Sequence, residues 1–116
     1  MKKNNLQYIN DINDAIDWIL NDYIRDIPYN EFAENHEKVD AVVRQIAIIG
    51  EAMNGIEDTF LKQYPELPSK DAVAMRNVLV HDYDMVDTEE LWQTITVDLP
   101  KLKKVVEKIL AGKSAL

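Results

Sequence analysis

The sequence predicts an all-α protein, an up-and-down bundle of four to five helices. Apolar residues recur at helical spacing in long segments, strand patterns are nearly absent, and there is no internal repeat, low-complexity tract or linker. The 116 residues, 47% of them hydrophobic, suit a single domain spanning 1–116. Because so short a chain gains stability by burying further surface, we also expect an oligomer.

The apolar pattern in the first half of the sequence predicts two long helices separated by a short one. The first should end before Pro28, and its apolar face consists of Leu6, Ile9, Ile12, Ile16, Ile19, Leu20 and Tyr23. Tyr29 to Asn35 predicts a short helical turn. The second long helix should run from about Lys38 to near Tyr64 and Pro65, with an apolar face made of Val39, Val42, Val43, Ile46, Ile49, Met53 and Ile56.

The second half of the chain predicts three more helices. Ser69 is a plausible N-cap for the first of these, which contains the stretch 75–83. Asp87, with Glu90 three residues later, resembles a capping box that opens the next helix. Asp98 before Pro100 predicts the start of the last helix, which Gly112 can end.

Charge and composition restrict the function. Thirteen basic and 21 acidic residues give a net charge of -8, which opposes non-specific binding to a polyanion. Any contact with a polyanion must therefore be local, and the positive groups available are Lys62, Lys70 and Arg76, and the later cluster Lys101, Lys103, Lys104 and Lys108. That lysine cluster also suits the C-terminal half of a helix, where cations oppose the helix dipole.

The absence of cysteine excludes disulfides and thiolate metal sites. The N-terminus carries no apolar segment typical of a signal peptide or a membrane span, so we expect a cytoplasmic protein without a membrane partner. His36 lies among acidic residues, but the inward Glu-x-x-His repeats of di-metal bundles are missing, which favours a solvated face and no metal site. Trp18 and Trp92 could stack on bases, but in helices this apolar we favour core or dimer contacts for both.

An otherwise apolar stretch, residues 75–83, contains Arg76, His81 and Tyr83. A buried arginine needs a carboxylate, a phosphate or a partner surface. Arg76 and His81 lie about 140° apart around an ideal helix, whereas Arg76 and Tyr83 nearly align. These side chains can act together in three ways. The long arginine reaches around the helix, the helix ends near His81, or two copies of the helix meet across a symmetric interface and combine their side chains. We favour a homodimer formed through this helix.

This stretch resembles the RxxxxHxY signature of HepT-like toxins in the HEPN superfamily. Further segments are similar to the family in the same order: 49–52, 64–68, 86–87, 91–92 and 98–103. The chain departs from many relatives at Ser69, where they carry Trp, at Asp84, where they carry an aromatic residue, and at Ala74, where several carry Gly. The resemblance covers most of the chain, and none of these departures affects a residue of the motif.

The resemblance implies the toxin subunit of a toxin–antitoxin pair, a metal-independent endoribonuclease without a cofactor. His81 would act as acid/base and Arg76 as phosphate clamp on an RNA substrate, and the other subunit could complete each pair. A partner nucleotidyltransferase would neutralise the toxin by transferring AMP to Tyr83. With only three glycines the chain has no glycine-rich phosphate loop, so ATP chemistry would belong to that partner.

Structural roles for the same residues stay open. Arg76 and His81 could form a buried polar network with Glu51 or Asp71. Asn77 could bind phosphate or satisfy backbone groups, and Glu51 could orient the catalytic pair, bridge a dimer or face solvent. The alternative function is a non-catalytic HEPN-like helical module that binds a nucleotidyltransferase.

Overall fold

A computed structural model describes residues 3–67 and 86–114 of the protein. Its helical elements are α1 (Asn5–Trp18), the π-helical turn π1 (Ile19–Tyr23), α2 (Tyr29–Glu34), α3 (His36–Gly55), α4 (Asp58–Gln63), α5 (Thr88–Gln93), the π-helical turn π2 (Thr94–Asp98) and α6 (Leu99–Ser114). These ranges contain no strand, and the predicted all-α class is confirmed. The predicted helix from Ser69 lies outside the described residues.

The helix α1 begins with a reciprocal capping box. The Asn4 side chain accepts a hydrogen bond from the Gln7 backbone N–H at 2.9 Å, and the Gln7 side chain accepts one from the Asn4 N–H at 2.8 Å. Two of the N–H groups that a helix start leaves unpaired are thereby satisfied. The helical segment then continues through π1 and ends before Pro28, as the sequence predicts.

The pair α1 and α3 runs antiparallel at the centre of the fold. The Lys38 ammonium, near the start of α3, donates to the Tyr23 carbonyl oxygen at 2.8 Å. At the opposite end, the backbone N–H of Glu57 donates to Asn5 Oδ1 at 3.0 Å. Side-chain contacts at both ends therefore fix the register of the two helices.

The packed interior is apolar, since no polar or charged side chain is buried within residues 3–67 and 86–112. Its largest fully buried members are Phe32, Ile9, Ile12, Ile16, Ile19, Ile46, Ile49, Met53, Leu91, Ile95, Leu99 and Val42. They come from α1, π1, α2, α3, α5, π2 and the start of α6. The hydrophobic periodicity in the sequence thus marks the face that each of these elements buries.

The second long helix is shorter than the sequence predicts. It ends at Gly55, Ile56 is extended, and the separate helix α4 begins at Asp58. In a continued helix the N–H of Glu57 would donate to the carbonyl of Met53, but it donates to Asn5 instead. The prediction that this helix continues to Tyr64 is wrong because the start of α1 supplies a competing hydrogen-bond partner.

Gly55 permits close contact between α3 and α1. A Cβ atom at this position would lie 2.5–2.8 Å from three ring atoms of Tyr8. We expect Gly55→Ala to lower the free energy of unfolding by about 1–3 kcal/mol, the usual range for overpacking, in urea denaturation. Gly112→Ala is the matched control, because its added Cβ would meet no atom within 4 Å beyond its own stretch of helix. A Gly55→Ala protein as stable as the wild type would contradict this packing.

The last two predicted helices form one continuous helical segment from α5 through π2 to α6. Pro100, the second residue of α6, has no N–H and would crowd the carbonyl four residues before it, and the wider turn π2 directly precedes it. The predicted stop at Gly112 is wrong, since α6 extends to Ser114. No glycine in the described part has the positive φ that a glycine C-cap requires.

Candidate functional site

Four of the predicted site residues, Arg76, Asn77, His81 and Tyr83, lie outside the described residues. Their roles, like that of Asp71 in a polar network, therefore stay predictions. The structure does describe the two stretches of chain that flank the segment 68–85. These flanks show how the bundle holds the chain up to residue 67 and from residue 86 onward.

The upstream flank is packed onto the core. Phe60 of α4 is buried, and its ring lies 4.8 Å from that of Tyr64, centre to centre. The backbone N–H of Leu67 donates to the Tyr64 carbonyl oxygen at 3.0 Å, and Leu67 is only 7% exposed. The chain thus enters the motif segment from a fixed position.

The downstream flank is fixed by a helix cap. Val86 is half-buried against the core, and the Asp87 carboxylate accepts hydrogen bonds from the backbone N–H groups of Glu89 at 3.0 Å and Glu90 at 3.1 Å. This confirms the predicted start of a helix at Asp87. An aspartate at this position also interacts favourably with the positive end of the helix dipole.

An aromatic cluster connects α5 to α2. The Trp92 ring lies 5.2 Å from that of Phe32 and 5.8 Å from that of Tyr29, centre to centre. The Tyr29 hydroxyl and the Thr88 hydroxyl are 2.9 Å apart and share a hydrogen bond. Trp92 therefore makes core contacts, one of the two roles expected for it, and the cluster holds the helix that follows the motif segment.

Glu51, the remaining predicted site residue, lies in α3 with its side chain exposed. Its neighbours Gly50 and Ala52 are buried, so the carboxylate stands beside a tightly packed part of the helix. This position is compatible with a carboxylate that orients the catalytic pair, bridges a dimer or faces solvent, but not with a buried network. Its proposed action on Arg76 or His81 stays a prediction.

The predicted lysine cluster divides into groups with different environments. Lys103 forms a salt bridge with Asp17 and donates to Asn13 Oδ1 at 3.3 Å, which attaches α6 to α1. Lys108 lies 3.8 Å from a carboxylate oxygen of Glu66, next to the upstream flank. Lys101 and Lys104 are exposed and form no ion pair with any described residue, so their charges are available to an anion.

Trp18 does not lie in the core, although the apolar character of its helix favours a buried position. Its side chain is 53% exposed and its ring stacks on Tyr23. It lines an open cleft of about 300 Å³ together with four polar residues, Asp14, Asp17, Asn21 and Asp22. The sequence offers one signal that was missed, a tryptophan with an aspartate four residues away on either side.

Two further observations concern the described part alone. No group of three or more histidine, aspartate or glutamate side chains in it is arranged to hold a metal ion, and His36 stands at the exposed start of α3. None of its helices is long and apolar enough to cross a membrane.

Comparison with known proteins gives a consistent family. The model of the family described as "Ribonuclease HepT-like" matches residues 6–109. The chain is 36% identical over 109 residues to a protein named probable ribonuclease HepT from Thermococcus cleftensis, covering 94% of this chain and 98% of that protein. It is 42% identical over 86 residues to a putative RNase of Methanocaldococcus jannaschii, covering 74% and 79% of the two chains. No solved structure gives a significant match.

Proposed function

Because this chain belongs to the HepT-like ribonuclease family, we propose that it is a metal-independent endoribonuclease and the toxin subunit of a toxin–antitoxin pair. The observation that carries the proposal is the set Arg76, His81 and Tyr83 in RxxxxHxY spacing, inside the matched residues 6–109. We further propose that it acts in the cytoplasm as a homodimer, in which the motif helices of two subunits meet.

The proposed reaction uses the substrate's own nucleophile. His81 takes the proton of a ribose 2′-hydroxyl, and the oxygen attacks the adjacent phosphorus. The bond from phosphorus to the 5′-oxygen then breaks, and that oxygen receives a proton, so the products end in a 2′,3′-cyclic phosphate and a 5′-hydroxyl. Arg76 donates hydrogen bonds to the non-bridging phosphate oxygens, and its planar fork suits two of them at once.

The surroundings of the motif segment support a local RNA site. Both flanks of the motif segment, up to Leu67 and from Val86 onward, are fixed to the core. Lys62 of α4 is exposed upstream, and Lys104 of α6 is exposed on the same helix as Lys108, which reaches Glu66. These cations would attract the phosphate backbone although the net charge of the chain is -8.

We also propose that a nucleotidyltransferase silences this activity through Tyr83. The Tyr83 phenolic oxygen would attack the α-phosphorus of ATP, which forms a phosphodiester to AMP and releases pyrophosphate. The new phosphate is an anion two residues from His81 in the chain, and it would compete with RNA for Arg76. The nucleotide would also occupy space that the substrate needs.

Co-expression with the nucleotidyltransferase tests this proposal through the intact mass of the chain. We expect an increment of one or more AMP units in the wild type and none in Tyr83→Phe. Tyr64→Phe is the control, since its ring packs on Phe60 and lies just before the motif segment. An unmodified wild-type chain, or an increment that persists in Tyr83→Phe, would contradict silencing at this residue.

The net charge of -8 favours a second candidate, a helical module that binds the nucleotidyltransferase without cleaving RNA. In that case the purified wild-type protein would not cleave RNA, and any cell toxicity would survive the loss of His81. A His81→Ala protein that folds normally separates the two candidates.

A further inference from the structure

The most unusual surface in the described part surrounds Trp18. Only two large apolar side chains there are strongly exposed, Trp18 at 53% and Val97 at 43%. Tryptophan usually contributes a large buried area to a core or an interface. Leaving this ring in water forgoes hydrophobic stabilisation, which a partner surface would recover on binding.

The turn π1 orients this tryptophan. Trp18 and Tyr23 are five residues apart, and in an α-helix they would point about 140° away from each other. A π-helical turn pairs residues five apart, and here the Ile24 N–H donates to the Ile19 carbonyl oxygen at 3.0 Å. The Trp18 and Tyr23 rings therefore stack, with centres 6.1 Å apart and planes at 22°. The indole is supported on one side and open on the other.

The cleft beside Trp18 carries negative charge. Asp14 and Asp22 lie four residues before and after Trp18, and both are exposed without a partner among the described residues. Asp17 also lines the cleft, but its charge is compensated by Lys103. The indole thus stands between two carboxylates that no described residue compensates.

We propose that this acidic-aromatic cleft, formed by Asp14, Trp18, Asn21 and Asp22 with Asp17 at its edge, binds a basic segment of the partner nucleotidyltransferase. A lysine or arginine of that segment would stack on the indole face and form ion pairs with Asp14 and Asp22. Cation–π contact and desolvated ion pairing reinforce each other in such a site. The inference rests on the proposed function for the identity of the partner, and on the described surface for the place.

Other occupants fit the cleft less well. An RNA base could stack on Trp18, but its phosphates would meet the unpaired carboxylates of Asp14 and Asp22. A second copy of the chain in a two-fold contact centred on Trp18 would bring the same carboxylates against each other. A basic partner turns this charge into an attraction, and charge complementarity of this kind also speeds association.

Affinity measurements with the purified nucleotidyltransferase test the assignment. We expect Trp18→Ala to raise Kd by roughly tenfold or more, as for a central aromatic contact, and Trp18→Phe to retain part of the affinity. Asp14→Asn combined with Asp22→Asn should raise Kd and weaken its salt dependence. The double variant Glu34→Gln, Glu37→Gln changes the same charge at exposed positions around the start of α3 and should bind like the wild type.

The remaining outcomes distinguish this proposal from the proposed function. Unchanged Kd in Trp18→Ala, with partner binding and Tyr83 modification intact in the wild type, would overturn the cleft and leave the proposed function standing. Dissociation of the homodimer in Trp18→Ala would overturn the proposed cleft and indicate a contact between two copies of the chain. Weakened RNA binding by the same variant would overturn the cleft and indicate a base-stacking site. A wild-type protein that does not bind the nucleotidyltransferase would overturn both the cleft and the proposed partner. RNA cleavage by the isolated Trp18→Ala protein should match the wild type.

Discussion

Replacing His81 by alanine is expected to reduce kcat/KM for RNA cleavage by roughly 10²- to 10⁴-fold, the usual contribution of a positioned general acid or base. Arg76→Ala should cost about 10²- to 10³-fold, because the charge that develops on the phosphate loses its donors. Both rates are measured on a short RNA labelled at one end. Cell toxicity should fall in parallel.

The chain provides matched controls for both substitutions. His36, its other histidine, and Arg44 are both exposed on α3, so His36→Ala and Arg44→Ala remove the same chemical groups elsewhere. These variants should cleave RNA like the wild type. Full RNA cleavage by a folded His81→Ala protein would remove His81 from the mechanism, whereas a wild-type protein that cleaves no RNA would favour the binding module.

Replacing Phe32 by alanine is expected to lower the free energy of unfolding by about 3–5 kcal/mol, the range for deleting a buried aromatic ring. Phe32 is 0% exposed, and its ring packs on Trp92 of α5. Its loss should also loosen α5, which follows the motif segment, so RNA cleavage should become more sensitive to temperature. Urea denaturation measures the first effect and activity at rising temperature the second.

Trp18→Ala is the contrasting variant for Phe32→Ala. It deletes a larger ring, but from an exposed position, and therefore should change the free energy of unfolding far less. Similar losses for the two variants would contradict the different burial of the two rings. The same Trp18→Ala protein then serves the partner-binding measurement, since its fold should be intact.

Much of the helical arrangement follows from the sequence because apolar spacing reflects burial directly. Ile9, Ile12 and Ile16 recur at helical spacing, and all three are fully buried on α1. Asp87 predicts the start of a helix because its side chain can accept hydrogen bonds from the N–H groups that a helix start leaves unpaired, and the structure shows these bonds. Local chemistry of this kind does not depend on the rest of the fold.

The incorrect boundaries depend on contacts between distant parts of the chain. The break after Gly55 depends on Asn5, which lies 52 positions before its hydrogen-bond partner Glu57, and on the ring of Tyr8. Periodicity in 38–64 carries no information about either contact. Periodicity does not predict the π-helical turns either. The apolar helical pattern continues through Ile19–Tyr23, so it does not indicate the π-helical turn that brings Tyr23 to Trp18.

For the candidate functional surfaces, too, the sequence predicts some features and not others. Sequence alone singles out Arg76 and His81, because charged groups in an apolar stretch and their spacing can be read directly. It does not show the environment of Trp18, because exposure of one ring on an amphipathic helix depends on which neighbours cover it. The cleft beside it therefore emerged only from the structure.

The most direct test of the central claim is cleavage of RNA by the purified protein in excess EDTA, with the product ends identified by mass spectrometry. We expect cleavage to persist and to leave 2′,3′-cyclic phosphate and 5′-hydroxyl ends, and a substrate with 2′-deoxyribose at the cleavage position to stay intact. Activity that needs an added metal ion, or cleavage at the deoxyribose position, would contradict the proposed mechanism.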